Sequence, residues 1–326
     1  MREGKFIDKN INRWQEYMDE TNDPDIQAER FVNLVDDLSF AKTYYPQSKT
    51  TQFINGLAAK QFQKLYQNQK RRYDRLFTFW KYELPLLFSK YQKVYLFTFS
   101  FFLVCVIVAV FSSMHDQTFI RSILGDSYVD MTEENINKGD PFGVYKDGNE
   151  FGMFINIAAN NIRVSLMTFI FGLFAGIGSL YLLFSNGLML GTFQYMFFAK
   201  GLGWKSVLVI WIHGTLEISA IVIAGTAGMI LGNSFLFPGT FSRIESLKNG
   251  AKDAVKVVIG LIPFFLLAAF FEGFVTRHTE MPVWLSSIIL VLSASIIIWY
   301  FTIYPLLLKR SGLKVIKGKI IFPTDA

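Results

Sequence analysis

Two ionisable residues, His213 and Glu217, lie four positions apart in an otherwise largely apolar stretch, VLVIWIHGTLEISAIVIAGTAGMILG at 207–232. On a helix this spacing places both side chains on one face. An ionisable pair inside a membrane span is costly unless other groups of the protein satisfy it. A third such residue, Glu272, lies at the end of the next apolar run. These three residues therefore define the candidate site.

Three interpretations of these residues compete. In the first, a buried Glu is held by a Ser, a Trp indole or a free backbone carbonyl, and it serves only to lock helix packing. In the second, the residues form a polar site with a role in transport or signalling. In the third they bind a cation, although no second His supports a metal site. We favour the structural interpretation and predict no catalytic residue, no cofactor and no metal.

The elements that must position these residues are membrane-spanning helices. The chain has 326 residues, of which 52% are hydrophobic and 34 are Phe. Several apolar runs reach the roughly 20 residues that cross a bilayer. We predict an all-α polytopic transmembrane helix bundle with five long spans plus one short or re-entrant helix at 188–199. The long spans are predicted at 94–113, 164–184, 206–231, 254–276 and 283–304.

Three parts are predicted along the chain. Residues 1–92 form a cytoplasmic helical domain that ends in an interfacial helix. Residues 93–305 form the transmembrane bundle, which includes an acidic extracytoplasmic loop at 114–163. Residues 306–326 form a basic cytoplasmic tail. In the first part, Asp23-Pro24 predicts the start of a helix and Tyr45-Pro46 predicts its end.

Two local sequence patterns predict the structure of the middle of the bundle. The alternation in FGMFINIAANNIR at 151–163 predicts an amphipathic helix on the outer surface. Ser185-Asn186-Gly187 predicts a turn before the short helix. If that short helix crosses, both the 233–253 connection and the basic tail fall in the cytoplasm, as the positive-inside rule requires. We therefore predict six crossings and a cytoplasmic N-terminus.

This topology brings the candidate residues to one depth. The third long span begins, and the fourth ends, on the same side of the membrane, because a helical hairpin returns to the side it left. His213, Glu217 and Glu272 can then share one leaflet. The second span starts on that side too, which makes Arg163 the best candidate counter-charge for either Glu.

The composition narrows the function classes. The formal net charge is +6, but in a membrane protein the usual cause is Lys and Arg retained on the cytoplasmic side. We therefore predict no nucleic-acid partner. A single Cys excludes an intrachain disulfide and a Cys-based metal site. Ser179 in GIGS lacks a following Gly, so no serine-hydrolase motif is predicted.

Three segments carry a family resemblance: WIHGTLEISAIVIAGTAGMILG, which lies within the stretch at 207–232, then FPGTFSR, then FFEGFVT. Together they resemble the stage II sporulation protein M family of bacterial membrane proteins. The resemblance extends from the N-terminal MREGKFIDKNINRW to the fourth long span and beyond. The matched positions are His213, Gly214, Glu217, Pro238, Gly239, Arg243, Glu272 and Gly273.

In spore-forming bacteria the namesake resembles a scaffold that recruits peptidoglycan-remodelling hydrolases, but the family also occurs in bacteria that never sporulate, so the family name does not give the function here. The sequence offers no nucleophile, nucleotide-binding loop or metal cluster, and it has a separate N-terminal helical domain. We therefore predict a non-enzymatic integral scaffold or partner-recruiting protein of the bacterial envelope, multi-pass in the cytoplasmic (inner) membrane. Membrane lipids and envelope or cytoplasmic proteins are its predicted partners. A homodimer is expected in preference to a monomer, since symmetric dimers are the commonest oligomers. The alternative is a permease or lipid-handling transporter with a polar intramembrane site.

Overall fold

The structure is a computed structural model. In it the chain forms two compact units, Met1–Arg72 and Tyr73–Ala326. The first unit is shorter than the predicted domain of residues 1–92, because a helix that begins at Leu76 runs on into the first membrane span. The residues that the structure describes are 2–19, 21, 23–66, 76–143, 149–276, 281–316 and 319–321.

The described residues of the first unit, which we call the head, form three helices. They are α1 (Glu3–Glu16), α2 (Pro24–Tyr44) and α3 (Lys49–Tyr66). The predicted start of α2 is confirmed, because the Asp23 side chain caps it by accepting hydrogen bonds from the backbone nitrogens of Asp25 and Ile26. The predicted end before Pro46 is confirmed as well.

The head has its own hydrophobic core. Phe6, Trp14, Leu34, Ala41 and Ile54 are buried there with at most 4% of their surfaces exposed. Each helix thus contributes one apolar face, which is how three amphipathic helices bury their stripes against one another. The core belongs to this unit alone.

The second unit contains the spanning helices. Within the described part of the chain, five helices are long and apolar enough to cross a membrane, which confirms the predicted all-α bundle. They are α4 (Leu76–His115), α7 (Glu150–Leu173), α9 (Gly203–Leu236), α10 (Arg243–Val275) and α11 (Val283–Arg310). Another helix, α8 (Ile177–Ala199), lies between α7 and α9 in the sequence.

The predicted second span at 164–184 is wrong, because the chain reverses within it. Helix α7 ends in a tight turn at Leu173, and Ala175 and Gly176 then adopt left-handed φ angles of 53° and 81°. The predicted turn at 185–187 lies inside α8 instead. Likewise, residues 151–163 are the first half of α7 and not a separate surface helix.

Close glycine contacts fix the directions of the helices. A Cβ on Gly187 would lie 2.8 Å from Cys105 Cβ, and one on Gly191 would lie 2.7 Å from Ala109 Cβ. Helices α8 and α4 therefore lie side by side and run parallel. A Cβ on Gly172 of α7 would lie 2.2 Å from Gly228 O of α9, so these backbones also touch.

Two short helices, α5 (Gln117–Leu124) and α6 (Asp126–Asn137), lie at what we call the acidic end of the bundle. There Lys200, just after α8, forms an ion pair of 2.7 Å with Glu133 of α6. The opposite, basic end contains the α9–α10 turn. At that end Lys90 of α4 pairs with Asp253 of α10 at 2.6 Å. A two-stranded antiparallel ribbon, β1 (Lys314–Ile316) and β2 (Lys319–Ile321), follows α11.

Candidate functional site

Helices α9 and α10 bring His213, Glu217 and Glu272 together. One potential ligand atom from each residue lies within 4.8 Å of the other two. We call these three side chains the polar cluster. His213 and Glu217 are one helical turn apart on α9, as their spacing predicts. Glu272 lies in a π-helical turn, Phe271–Val275, which ends α10. Such turns are frequent at functional sites because they change where a side chain points.

His213 is the centre of the cluster. Only 4% of its surface is exposed. Its Nδ1 lies 3.0 Å from the Oγ1 of Thr276, a buried hydroxyl just beyond the π turn. Its Nε2 lies 3.8 Å from Glu272 Oε2. Thr276 therefore fixes the ring, and the second nitrogen faces the carboxylates.

Helix α7 contributes Asn161, which has only 3% of its surface exposed. Its side chain reaches toward Glu217. However, its buried Nδ2 makes no hydrogen bond of normal length and angle within the described part of the chain. Ser165 Oγ, one turn further along α7, is buried without a partner there as well. Two polar side chains of one helix face are thus left with unused bonding capacity.

The structure does not bring Arg163 into the cluster. Arg163 is exposed on α7, and the basic side chain within ion-pair distance of Glu272 is His213. The reason is helical phase, since Asn161 and Arg163 are two residues and roughly 200° apart around the helix. When Asn161 faces α9, Arg163 faces away.

The remaining motif positions separate into two groups. Gly214 and Gly273 flank the cluster. A Cβ on Gly273 would lie 3.4 Å from the Phe154 backbone of α7, while a Cβ on Gly214 would meet nothing within 4 Å. A Cβ at Gly273 would thus make ordinary van der Waals contacts and one at Gly214 would meet nothing, so packing requires glycine at neither position.

Pro238, Gly239 and Arg243 lie at the other end of the same helix pair, in and after the α9–α10 turn. Gly239 has a left-handed φ of 62° there, and Phe241 N donates to Pro238 O at 3.2 Å. Since a helix rises about 1.5 Å per residue, this turn is roughly 30 Å from Glu217. The positions of the family resemblance therefore lie at both ends of the α9–α10 hairpin. Only the first of them, at 213–217, and the last, at 272–273, form or flank the polar cluster.

A cleft that the sequence analysis missed opens beside the cluster, with a volume of about 310 Å³. Its lining includes Trp204, Leu208 and Ile212 of α9, Val283 and Ser286 of α11, and Thr276. Thr276 thus borders the cleft and also bonds to His213. The four-residue spacing of Trp204, Leu208 and Ile212 is the sequence signal that could have indicated one continuous face.

The order Thr276, His213, Glu272 is that of a hydrolytic triad of hydroxyl, imidazole and carboxylate. Two measurements argue against that chemistry. Thr276 is only 1% exposed, which leaves its hydroxyl little access to a substrate. The 3.8 Å between His213 and Glu272 is also longer than a hydrogen bond. The arrangement is instead suited to holding a proton or a cation.

Comparisons with known proteins agree with this architecture. Residues 97–277, more than half of the chain, match the family model described as stage II sporulation protein M. Residues 4–67 match a model described as a domain of unknown function (DUF8413), and this range coincides with the three helices of the head. Comparison with curated proteins and with solved structures finds no match. The match spans α7 to α10 and includes the whole polar cluster, and the chain therefore belongs to the stage II sporulation protein M family.

Proposed function

We propose that this membrane protein is a non-enzymatic scaffold of the bacterial cytoplasmic membrane, which recruits a cytoplasmic protein through its head. The observation that carries this proposal is the division of the chain into two self-contained units. A unit with a complete core of its own does not need to be attached to the bundle in order to fold. Its attachment is better explained by a binding role at the membrane.

The head offers a surface for such a partner. Val32 and Val35 on the outer face of α2 are 58% and 38% exposed, with Glu29 and Asp36 exposed beside them. An apolar centre with a charged rim is the usual composition of a protein-binding patch. The head also contains neither His nor Cys, which favours binding over catalysis.

Charge at the two ends of the bundle supports a cytoplasmic head. The acidic end has acidic residues throughout α6 and the loop that follows it. The basic end has Arg243 at the start of α10 and, further along the helices, Lys90 and Lys256. The basic residues that end α11 belong to the same side. Because Tyr300 of α11 donates to Trp80 O at 2.6 Å, the C-terminal half of α11 and the start of α4 lie together. The positive-inside rule then supports the basic end as cytoplasmic.

The test replaces Val32 and Val35 by Ser, and the control replaces Glu29 and Asp36 by Ser on the same helix. Loss of two half-buried Val contacts costs roughly 2 kcal/mol, or about 30-fold in affinity. Cross-linking in native membranes should recover a stoichiometric partner with the wild-type chain and with the control, but not with the Val variant. Failure to recover any stoichiometric partner, or equal recovery with all three chains, would refute the scaffold.

A second candidate function is a permease or lipid-handling protein, which the cleft beside Thr276 favours. In that case Glu217 and Glu272 would interact with the transported species. The test is the double variant Glu217→Gln, Glu272→Gln. If this variant folds normally and supports normal cellular function, the transport proposal fails.

A further inference from the structure

The described residues provide no Lys or Arg to neutralise the carboxylates of the polar cluster. Glu217 and Glu272 are two carboxylates inside spanning helices, and among the described residues no Lys or Arg forms an ion pair with either. Ionised carboxylates in a bilayer require a positive partner, since hydration is lost there. A neutral imidazole does not supply that charge.

The distances within the cluster suit a bound ion. The 3.8 Å between His213 Nε2 and Glu272 Oε2 is too long for a hydrogen bond. Two ligands of one Zn²⁺, each about 2.1 Å from it, lie roughly 3.4 Å apart in tetrahedral geometry. With ligand atoms of the three residues within 4.8 Å, coordination requires inward movements of the order of 1 Å.

The surrounding groups are arranged as those around a metal site commonly are. Metal-binding imidazoles usually hold their second nitrogen in a hydrogen bond that fixes the ring. Thr276 provides this bond to His213 Nδ1, which leaves Nε2 toward the carboxylates. The His–Glu spacing alone made a metal the least favoured interpretation of the sequence, and the position of Thr276 changes that balance.

Asn161 of α7 adds a further observation at the same site. It is buried, it reaches toward Glu217, and its amide nitrogen has no normal hydrogen bond within the described chain. The O and N of a carboxamide exchange positions when the group rotates by half a turn. Asn161 can therefore offer an oxygen as a fourth ligand.

We propose that His213, Glu217, Glu272 and Asn161 bind one divalent first-row transition-metal ion such as Zn²⁺ or Mn²⁺. An imidazole with carboxylate and amide oxygens is a ligand set that such ions accept. Ca²⁺ is a poorer fit, because it takes six to eight oxygen ligands. Two carboxylates and a divalent ion sum to zero charge, which is the arrangement that a bilayer tolerates best.

The first experiment measures metal in the full-length protein, purified in detergent through a His-free tag and exposed in turn to Zn²⁺, Mn²⁺ and Co²⁺. We expect about one ion per chain by elemental analysis. X-ray absorption should show nitrogen and oxygen ligands at about 2.0–2.2 Å. This measurement needs no variant. Less than a tenth of an equivalent with every ion, or a hydrated ion without a nitrogen ligand, overturns the proposal.

The second experiment compares variants. Glu272→Gln and His213→Gln should each weaken metal binding at least about tenfold. Tenfold is the smallest loss of metal affinity that is typical when a residue that only supports a ligand is replaced, and a ligand itself should contribute at least as much. The controls are His115→Gln, an exposed His at the end of α4, and Glu134→Gln, an exposed Glu of α6; both should bind as wild type does. Metal retained by the cluster variants but lost in a control identifies a surface site and overturns the proposal. The head variants at Val32 and Val35 leave the cluster intact, so failure of the scaffold and failure of the metal site are separate outcomes.

Discussion

The contact between α7 and α9 gives the sharpest quantitative prediction. Gly172 and Gly228 meet backbone to backbone, and a Cβ on Gly172 would lie 2.2 Å from Gly228 O and 2.5 Å from Gly228 Cα. Both clashing atoms are backbone, so no side-chain rotation relieves the overlap. The variant Gly172→Ala can be accommodated only if the two helices separate.

The size of the effect follows from these distances. An ordinary contact of about 3.4 Å requires a separation of roughly 1 Å, which forfeits about half of the dispersion energy at the crossing. Overpacking of this kind costs about 1–3 kcal/mol. A gain of at most about 1 kcal/mol from replacing Gly in a helix offsets part of it. Because both clashing atoms are backbone, the upper part of that range applies, which leaves a net cost of about 1–2 kcal/mol. Since 1 kcal/mol corresponds to roughly 2–4 °C in a large domain, we expect a fall of about 2–8 °C in melting temperature.

Gly214→Ala is the matched control, because it makes the same chemical change in α9 where nothing lies within 4 Å. Only the helix-propensity gain applies there, so the melting temperature should stay constant or rise slightly. The assay is thermal unfolding of both purified variants in the same detergent. The packing argument is refuted if Gly172→Ala melts within about 1 °C of wild type, or if the two variants shift in the same direction by similar amounts.

Two further predictions concern the head. Asp37 accepts hydrogen bonds from Trp14 Nε1 at 2.8 Å and from Arg13 at 2.6 Å, so Asp37→Ala leaves a buried indole N–H unpaired. This change should destabilise the head by about 1–3 kcal/mol and accelerate its proteolysis, whereas Asp37→Asn, which keeps an acceptor, should cost less; equal proteolysis rates would contradict this role. The pKa of Glu3 is lowered because its carboxylate accepts hydrogen bonds from Ser48 and Thr50. A carboxyl of this kind stabilises the fold above its unfolded pKa of about 4.3, and the stabilisation is lost as pH falls through the lower folded pKa. Hydrogen exchange in the first turn of α3, corrected for its intrinsic pH dependence, should therefore accelerate as pH falls below about 4 in wild type but not in Glu3→Gln.

The sequence was sufficient to predict the number of long spans, the helical head and the cap of α2, because each depends on local composition. It was insufficient for the reversal between α7 and α8. The reversal at Ala175 and Gly176 lies within FGLFAGIG at 171–178, which contains no Asn, Asp, Ser or Pro. A hydropathy profile therefore assigns this reversal to the interior of a single span. The only local signal is the concentration of glycines around it.

The opposite error occurred at Ser185-Asn186-Gly187, where turn residues lie inside a helix. Asn186 donates its side-chain amide to Leu182 O at 2.8 Å, which satisfies it within α8. Gly187 contacts Cys105 of α4. The glycine therefore serves helix packing and not a turn, and only the partner helix reveals the difference.

The candidate site could be predicted in part for a related reason. His213 and Glu217 lie on one helix, and the hairpin geometry brings Glu272 to their depth, so these three residues could be grouped from topology alone. Arg163 could not be placed, because the start of its helix was set at 164 and not at 150. Without the correct helix, its rotational phase was undefined. Counting residues along a helix gives the depth of a residue in the membrane. The direction in which its side chain points is known only when the positions of the neighbouring helices are known.

The polar cluster and the scaffold are compatible, and their relation can be decided by measurement. A cation held by α9 and α10 next to α7 would tie three helices together, so its removal should lower the melting temperature without affecting partner capture by the head. A cluster that serves transport would instead bind its cation weakly, because a transported ion must leave again, and Glu272→Gln would then change cellular function more than stability. Glu217 lies about 30 Å along α9 from the turn at the basic end. A loss of partner recruitment in Glu272→Gln at unchanged melting temperature would contradict a purely structural role of the cluster.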